Sequence, residues 1–252
     1  MNTPRSILIT GASSGLGEAL ALAYAQSGVT LFLSGRDAVR LEAAAAACRA
    51  QGAMVETGLV DAADREAMAT WVGEADRLAP LDLVIANAGI SAGTGRDGET
   101  AEQARAIFAV NLGGVMNTVW PAIPPMRARG RGQIALMSSL ASFRGLGGAP
   151  SYCASKAAVR VWGEGLRDWL AADGIAVSVI CPGFVTSRMT ADNPFPMPFL
   201  MDATRAARIM RAGLAAGKGR IAFPRRLRAA TWLLAALPDA WAARLTAGLP
   251  RK

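Results

Sequence analysis

Short apolar runs alternate with longer helical stretches along most of the chain. Six runs have the length and composition of strands: residues 7–9, 29–34, 53–60, 81–86, 132–137 and 175–180. Helices of ordinary length lie between them, a pattern typical of parallel strands joined by helical crossovers. Such a sheet is covered on both faces, so the pattern predicts a doubly wound α/β fold. No repeat or low-complexity linker divides the 252 residues, and we expect a single domain over 1–252.

The first strand runs into a glycine-rich turn, TGASSGLG at residues 10–17, and a helix through Gln26 follows. A strand, a glycine-rich turn and a helix in this order place a diphosphate at a helix N-terminus. Gly11 allows the tight turn, while Gly15 and Gly17 allow close approach of the ligand and of the strand. The GxxxGxG spacing excludes a P-loop. A glycine cluster alone is often an ordinary turn, but its place at the first strand–helix junction favours nucleotide binding.

The end of the second strand indicates which dinucleotide is used. An acidic residue there accepts from the 2′-hydroxyl of NAD, whereas an arginine pairs with the 2′-phosphate of NADP. Gly35 stands at the expected acidic position and Arg36 follows it. This favours NADP(H), with NAD(H) as the alternative. Asp37 is expected to cap the next helix.

Two further polar residues lie where a cofactor would meet the sheet, because the carboxyl ends of parallel strands line the binding crevice. Asn87 follows the fourth strand with Gly89, and Thr186 follows the sixth. Asn111 lies among apolar neighbours in a helix predicted over 107–120. The ordinary alternatives are a strand-end turn for Asn87 and Gly89, and a satisfied core amide for Asn111.

Tyr152 and Lys156 are four residues apart, so on a helix they share one face. A lysine cation ~5 Å away is expected to lower the tyrosine pKa from ~10 by ~2 units, towards the range of a general acid/base. Ser139 ends the fifth strand, and its hydroxyl is placed to polarise a carbonyl oxygen that Tyr152 protonates. Such a pair is often only helix surface. However, the chain has 2 tyrosines and few lysines, which favours a chemical role.

The composition excludes several kinds of chemistry. The chain has no histidine, which excludes Ser-His-Asp hydrolysis, Cys-His proteolysis and HExxH zinc sites. Cys48, Cys153 and Cys181 are widely spaced, which favours reduced structural thiols and no metal site. The net charge of +8 comes without a DNA-binding motif, so no nucleic-acid partner is expected.

The N-terminus lacks a signal-peptide pattern, from Met1 and Asn2 onwards. No uninterrupted apolar segment reaches the ~20 residues needed to cross a bilayer. We therefore expect a cytoplasmic protein.

Two later segments differ from the alternating core. Residues 187–202 contain PFPMPF at 194–199, which cannot form one regular helix. We interpret this segment as an apolar substrate loop, or else as a surface loop with core anchors. Residues 220–252 combine tryptophan and leucine with basic residues: Arg225, Arg226, Arg228, Arg244, Arg251 and Lys252. Helices of this kind can rest peripherally on an anionic membrane; packing on the core or on another subunit is the alternative.

Residues 6–190 resemble the classical short-chain dehydrogenase/reductase family. The matching motifs are TGASSGLG at 10–17, ANAG at 86–89, Asn111, the serine pair at 138–139, YCASK at 152–156 and PGFVT at 182–186. The resemblance implies a Rossmann-type fold and a catalytic group of Asn111, Ser139, Tyr152 and Lys156, with Asn111 supporting a proton relay. It further implies that Tyr152 is the acid/base, that Ser139 holds the substrate oxygen, and that Lys156 binds the nicotinamide ribose.

The same resemblance implies a set of cofactor contacts. In it, Asp61 contacts adenine, Asn87 the adenosine side and Thr186 the carboxamide end. The full set is Gly11, Ser13, Ser14, Gly15, Leu16, Gly17, Arg36, Asp61, Asn87, Ala88, Gly89, Tyr152, Lys156, Pro182, Gly183, Val185 and Thr186. Members of the family commonly form dimers or tetramers, so a homodimer or homotetramer is expected.

The function expected from this sequence is an NADP(H)-dependent oxidoreductase. It would interconvert a secondary alcohol and a ketone or aldehyde by hydride transfer, on an apolar small molecule. The alternative is a non-catalytic NAD(P)-binding protein with a regulatory or membrane-associated role. The GxxxGxG spacing and the short C-terminal region speak against a related epimerase or dehydratase.

Overall fold

A computed structural model of the chain describes residues 3–92, 94, 98–191, 193 and 195–248. Several residues on which predictions were made lie outside the described part: Met1, Asn2, Pro194, Arg251 and Lys252.

Seven parallel strands form one sheet in the described chain. They are β1 (Ser6–Thr10), β2 (Thr30–Gly35), β3 (Met54–Leu59), β4 (Leu83–Ala86), β5 (Gly132–Met137), β6 (Ile175–Pro182) and β7 (Arg220–Phe223). The strand order is β3-β2-β1-β4-β5-β6-β7, and every pairing is parallel. The order reverses between β1 and β4, which is the switch point where ligands bind in sheets of this kind.

The helices connect the strands and cover the sheet. They are α1 (Gly15–Tyr24), α2 (Ala38–Ala50), α3 (Arg65–Leu78), α4 (Ala101–Phe108), α5 (Gly114–Val119), α6 (Ile123–Arg129), α7 (Pro150–Leu170), α8 (Arg188–Ala191), α9 (Ala203–Ala215), α10 (Arg225–Ala236) and α11 (Asp239–Thr246). Asp37 caps α2 as predicted, since its carboxylate accepts from the Arg40 N–H at 2.9 Å.

Alternate residues of each strand enter two separate cores, one on each face of the sheet. Ile7 and Ile9 of β1 pack with α1, α2 and α9, whereas Leu8 packs on the opposite face with α3, α5 and α7. This division follows from the two-residue repeat of a strand. The predicted doubly wound parallel sheet in a single domain is therefore confirmed.

Two element predictions need correction. The segment after residue 200 contributes α9 and the edge strand β7, neither of which the apolar pattern predicted. The helix predicted over 107–120 begins earlier, at Ala101, where Thr100 and Gln103 form a capping box. It continues through a π-helical turn, Ala109–Gly113, and a 3-10 turn, Trp120–Ala122, to Arg129.

The helical run Ala101–Arg129 has the length and apolar composition of a membrane span, although no uninterrupted apolar stretch was found in the sequence. Its apolar side chains Ile107, Val115 and Val119 are buried. Val115 and Val119 belong to the core on one face of the sheet. Packing within the domain therefore accounts for the apolar character of this run.

Candidate active site

A cavity of about 1010 Å³ lies at the carboxyl edge of the sheet, beside the switch point between β1 and β4. Most of the predicted cofactor residues line it: Gly11, Ser13, Ser14, Gly15, Leu16, Arg36, Asp61, Asn87, Ala88, Gly89, Tyr152, Lys156, Pro182, Gly183 and Val185. Ser139 lines it too. Three of the predicted site residues do not: Gly17, Asn111 and Thr186. The cavity is large enough for a dinucleotide together with a small substrate.

The glycine-rich turn is shaped for a diphosphate. Gly11 and Gly15 have φ values of 65° and 61°, which glycine adopts without steric cost. Ser14 precedes α1 but its side chain does not cap the helix. The first N–H groups of α1 are therefore available to phosphate oxygens at the cavity. Gly17 has the close-packing role that was predicted and does not line the cavity: a Cβ there would overlap the Gly11 carbonyl, so Gly17 allows the helix to pack on the turn.

Thr10 and Asn87 hold the glycine-rich turn against the end of β4. The Thr10 hydroxyl accepts from the N–H groups of Asn87 and Ala88, at 3.0 and 3.1 Å. The Asn87 amide donates to the carbonyl oxygens of Thr10 and Gly11, at 2.9 and 3.3 Å. Thr10 was not among the predicted site residues. Its place as the last residue of a strand before the turn is the sequence signal that would have indicated it.

Two arginines line the adenosine end of the cavity, near the end of β2. Arg36 lies 3.6 Å from the carboxylate of Asp61, and Arg40 lies 2.7 Å from that of Asp37. Arg40 was not predicted, although its position four residues after Arg36 places both near the same helix start. Each guanidinium group is paired with a carboxylate, and a guanidinium has five N–H donors, enough to bond a phosphate as well.

Tyr152 and Ser139 are brought together at the opposite end of the cavity. Tyr152 lies in the first turn of α7, and Ser139 follows β5. The Ser139 hydroxyl is hydrogen-bonded to the Tyr152 phenol and also accepts from the Ala141 N–H at 3.1 Å. A carbonyl oxygen within reach of both hydroxyls would meet two hydrogen-bonding groups at once.

Lys156 lies beneath Tyr152 and is almost completely buried, with 3% of its surface exposed. Its ammonium donates to the Met137 carbonyl at 2.9 Å, and its nitrogen is 5.9 Å from the centroid of the Tyr152 ring. The Ser138 hydroxyl donates to the Lys156 carbonyl at 2.8 Å and so ties α7 to the end of β5. The lysine charge is thus held in place by the sheet.

The prediction that the pKa of Tyr152 is lowered below its ordinary value is wrong. Burial is the dominant influence, and it raises the pKa of the Tyr152 phenol above its ordinary value, with the Ser139 hydrogen bond acting in the opposite direction. Burial also lowers the pKa of Lys156 to about 8. The charge of Lys156 was expected to dominate, whereas desolvation of both groups prevails in the folded chain.

Asn111 lies behind the cavity wall, in the π-helical turn. Its amide oxygen accepts from the Ile90 N–H at 2.8 Å. Its amide nitrogen donates to the Ile90 carbonyl at 3.0 Å and to the Ser155 hydroxyl at 3.1 Å. Asn111 therefore joins the loop after β4 to α7 next to Lys156. Its side chain positions these elements and does not face the cavity.

The loop predicted to hold substrate borders the cavity, but Thr186 does not. Phe184 and Phe195 contact each other edge to face, with ring centroids 6.2 Å apart, and both line the cavity with Pro196. Thr186 is exposed, and its N–H donates to the Met201 carbonyl at 2.9 Å. Val185 and Ser187 on either side of it do line the cavity.

Within the described residues, no group of His, Cys, Asp and Glu side chains has the arrangement of a metal site. Cys48, Cys153 and Cys181 are all buried free thiols, as the sequence predicted.

Comparisons with known proteins agree with this geometry. A family model described as short chain dehydrogenase matches residues 5–195. An uncharacterised oxidoreductase from Myxococcus xanthus is 41% identical over 236 residues, which cover 93% of each chain.

Two solved structures have the same fold over most of their length. The short-chain dehydrogenase from Sphingobium yanoikuyae in complex with NADPH is 26% identical with a TM-score of 0.81, covering 97% of this chain and 96% of that one. Levodione reductase is 25% identical with a TM-score of 0.82, covering 90% of this chain and 98% of that one. The relatives and the glycine-rich turn together support a nicotinamide cofactor. The chain therefore belongs to the short-chain dehydrogenase family of oxidoreductases.

Proposed function

We propose that the protein is an NADP(H)-dependent oxidoreductase that interconverts a secondary alcohol and a ketone or aldehyde, on an apolar substrate. One observation carries the proposal. The hydrogen-bonded Tyr152 and Ser139 hydroxyls lie at the cavity directly above the buried Lys156, with the glycine-rich turn at the other end. A proton donor, an oxygen-binding hydroxyl and a fixed cation are the groups that carbonyl reduction requires of a protein.

The nicotinamide, when bound, supplies or accepts the hydride at the carbonyl carbon. In the direction of reduction, the Tyr152 phenol gives its proton to the carbonyl oxygen and becomes a phenolate. Ser139 donates a hydrogen bond to that oxygen and so holds it beside Tyr152. The Lys156 cation, held by the Met137 carbonyl, stabilises the phenolate that proton transfer leaves behind.

The direction of the tyrosine pKa favours reduction near neutral pH. Because burial raises the Tyr152 pKa, the phenol keeps its proton and is ready to donate it. Oxidation of an alcohol requires the phenolate as a base, so it is favoured only at higher pH.

The preference for NADP(H) is supported by the side chains at the adenosine end of the cavity. No acidic side chain occupies position 35, and Arg36 and Arg40 both line the cavity there. Asp61 and Asp37, which pair with these arginines, keep them in place at the end of β2. A 2′-phosphate would meet two guanidinium groups, whereas a 2′-hydroxyl would gain much less from them.

An apolar substrate is supported by the walls near Tyr152. Leucine, phenylalanine and proline side chains dominate this part of the cavity: Leu140, Leu146, Phe184, Phe195, Pro196, Leu227 and Leu234. A strongly hydrated substrate group placed against these side chains would lose its water without compensation.

Titration of the protein with NADPH and NADH, followed by fluorescence, tests the cofactor assignment. We expect NADPH to bind much more tightly. Replacing Arg36 and Arg40 together with alanine should weaken NADPH binding by roughly tenfold or more and leave NADH binding little changed, because only the 2′-phosphate contacts are lost. Arg65→Ala on α3 is the matched control, since Arg65 is exposed and does not line the cavity. Tighter binding of NADH would contradict the preference, and no binding of either would overturn the proposed function.

We also infer a homodimer or homotetramer. Trp120 and Trp169 are 44% and 50% exposed, and their rings contact each other with centroids 5.9 Å apart. An exposed aromatic cluster of this kind is typical of a contact surface between subunits. Light scattering should give a mass of two or four times 26.1 kDa. The mass of a single chain at working concentration would contradict the inference.

A further inference from the structure

The C-terminal helices α10 and α11 each have an inner face at the cavity. Leu227, Thr231 and Leu234 are spaced four and three residues apart on α10, and all three line the cavity. On α11, Ala242 is fully buried and Thr246 lines the cavity. The two helices are therefore a wall of the site.

The inner face is fixed to the rest of the domain. α10 packs on the 3-10 turn Leu140–Phe143, which follows Ser139. A Cβ on Gly183 would lie 2.8 Å from the Leu227 side chain, so this leucine sits directly against the chain after β6. Arg144 binds Asp239 at the start of α11, at 2.9 Å. The two helices consequently hold a set orientation over the cavity.

The opposite side of the two helices exposes large apolar side chains. Trp232 and Leu233 on α10 are 64% and 57% exposed, and Trp241 and Leu245 on α11 are each 64% exposed. Trp241 and Leu245 are four residues apart and share one side of α11. On an ordinary protein surface, exposed apolar side chains are scattered singly. Four of them within two short helices form a larger exposed apolar cluster than is usual.

The same side is cationic. Arg225, Arg226, Arg228 and Arg244 are exposed, and within the described part of the chain none forms an ion pair. The acidic residue of these helices, Asp239, forms an ion pair with Arg144. We call these four arginines with Trp232, Leu233, Trp241 and Leu245 the outer face.

The charge of the outer face decides between two occupants. If a second copy of the chain docked symmetrically, its own arginines would meet these, and like charges would repel. An anionic lipid surface complements the arginines, while tryptophan and leucine enter the headgroup region. Tryptophan beside arginine is also the composition found where proteins meet the membrane–water boundary.

We propose that the outer face docks on an anionic phospholipid bilayer. The docking itself does not depend on the proposed reaction. The loop of residues 187–202, which also lines the cavity, carries two more exposed apolar side chains, Phe199 and Leu200, at 49% and 46%.

Co-sedimentation of the full chain with lipid vesicles tests this proposal without any turnover. We expect binding to vesicles of phosphatidylcholine with phosphatidylglycerol, much weaker binding to phosphatidylcholine alone, and loss of binding as salt is raised. Replacing Arg225, Arg226 and Arg228 together with glutamine should weaken binding by roughly fivefold per arginine, or about a hundredfold in all. The double variant Trp232→Ser with Trp241→Ser should also lose most of the binding.

The control variants are Leu78→Ser and Arg65→Gln, which alter an exposed apolar and an exposed basic residue outside both the outer face and the Trp120–Trp169 cluster. Neither should change vesicle binding by more than twofold. Circular dichroism should show that all variants melt as the parent does, because the altered side chains are exposed. Failure of the parent protein to bind anionic vesicles overturns the proposal, as does equal binding by the outer-face and control variants. A fall in mass by light scattering in the outer-face variants, without vesicle binding by the parent, would instead identify a second copy as the occupant.

Discussion

At the scale of single residues, the site depends on burial as much as on charge. Lys156 is a cation in a nearly waterless position, and Tyr152 is a phenol whose pKa rises for the same reason. The four-residue interval between Tyr152 and Lys156 identified both residues, because it places their side chains on one face of a helix. Ser139 was identified by its place at the end of the fifth strand. Their pKa values could not be predicted, since desolvation depends on the elements that cover them.

The lowered pKa of Lys156 predicts how carbonyl reduction depends on pH. Lys156 is charged below its pKa of about 8 and loses its charge as the pH rises through that value. A neutral lysine no longer stabilises the Tyr152 phenolate left after proton transfer. We therefore expect the rate of reduction, at saturating cofactor and substrate, to be level at neutral pH and to fall above about pH 8.

The variant Lys156→Arg serves as the comparison for this profile, because arginine stays charged throughout the range. Whatever activity it retains should show no fall near pH 8. A parent rate that increases through the same range would show that Lys156 does not act as a cation in reduction.

At the scale of elements, strands and helices with a clear apolar pattern were predictable. Elements that form through contacts with other parts of the chain were not. The strands β1 to β6 correspond to apolar runs in the sequence. β7 has four residues, Arg220–Phe223, and forms because it pairs with the edge of β6. In that pairing Arg220 lies opposite Val179, and Phe223 lies opposite Pro182. The earlier start of α4 was readable from Thr100 and Gln103, a capping box that the apolar pattern alone did not include.

Close packing of α7 on the sheet gives a prediction about two glycines of the same helix. A Cβ on Gly163 would overlap side-chain atoms of Leu136 and Val179, which are buried on β5 and β6. Gly163→Ala should therefore destabilise the protein by about 1–3 kcal/mol. A Cβ on Gly165 meets nothing within 4 Å, so Gly165→Ala should stabilise it by about 0.5–1 kcal/mol through helix propensity. Urea unfolding of both variants measures the difference; equal effects of the two substitutions would contradict this packing.

At the scale of the whole molecule, the chain has no histidine, so few groups titrate between acid and alkaline pH. Burial raises the pKa values of the Cys48 and Cys181 thiols to about 11, and that of Tyr24 to about 12. These groups stay protonated in the folded chain at pH values where the unfolded chain has lost the protons. Their contribution to stability is therefore complete below about pH 9 and is lost as the pH rises through 11.

Lys156 acts in the opposite direction, since its pKa of about 8 in the folded chain lies below the ordinary value of 10.5. The free-energy cost of burying its charge therefore lessens as the pH rises from the lower of these values to the higher. The opposing effects nearly cancel to about pH 9, and the more numerous thiols and phenols prevail above about pH 10. We expect the free energy of unfolding to be nearly constant from about pH 6 to 9 and to fall above about pH 10. Denaturant unfolding across this range measures it, and Cys48→Ala with Cys181→Ala should reduce the alkaline fall. A steep change between about pH 6 and 8 would mean that other groups dominate.

The overall architecture and the position of the cavity were predictable because the order of strands and helices restricts the topology so strongly. The roles of Thr10 and Arg40 were not predicted, whereas Asn111 is the satisfied core amide that was given as its alternative. Thr10 and Asn111 act through hydrogen bonds to residues 77 and 21 positions away, and such contacts have no local signal in the sequence. Thr186 is the opposite case. It belongs to a motif that matches the family, but its side chain is exposed and does not line the cavity.

The most direct test of the proposed reaction compares the parent protein with Tyr152→Phe. The substitution removes one hydroxyl and keeps the ring between Ser139 and Lys156, so the cavity and the glycine-rich turn are undisturbed. Oxidation of NADPH should be followed with a panel of apolar ketones and aldehydes, and NADPH affinity by fluorescence. We predict a loss of turnover of at least a hundredfold, with NADPH affinity within about twofold of the parent. Turnover that survives in Tyr152→Phe would show that another group supplies the proton, and would contradict the central role assigned to Tyr152.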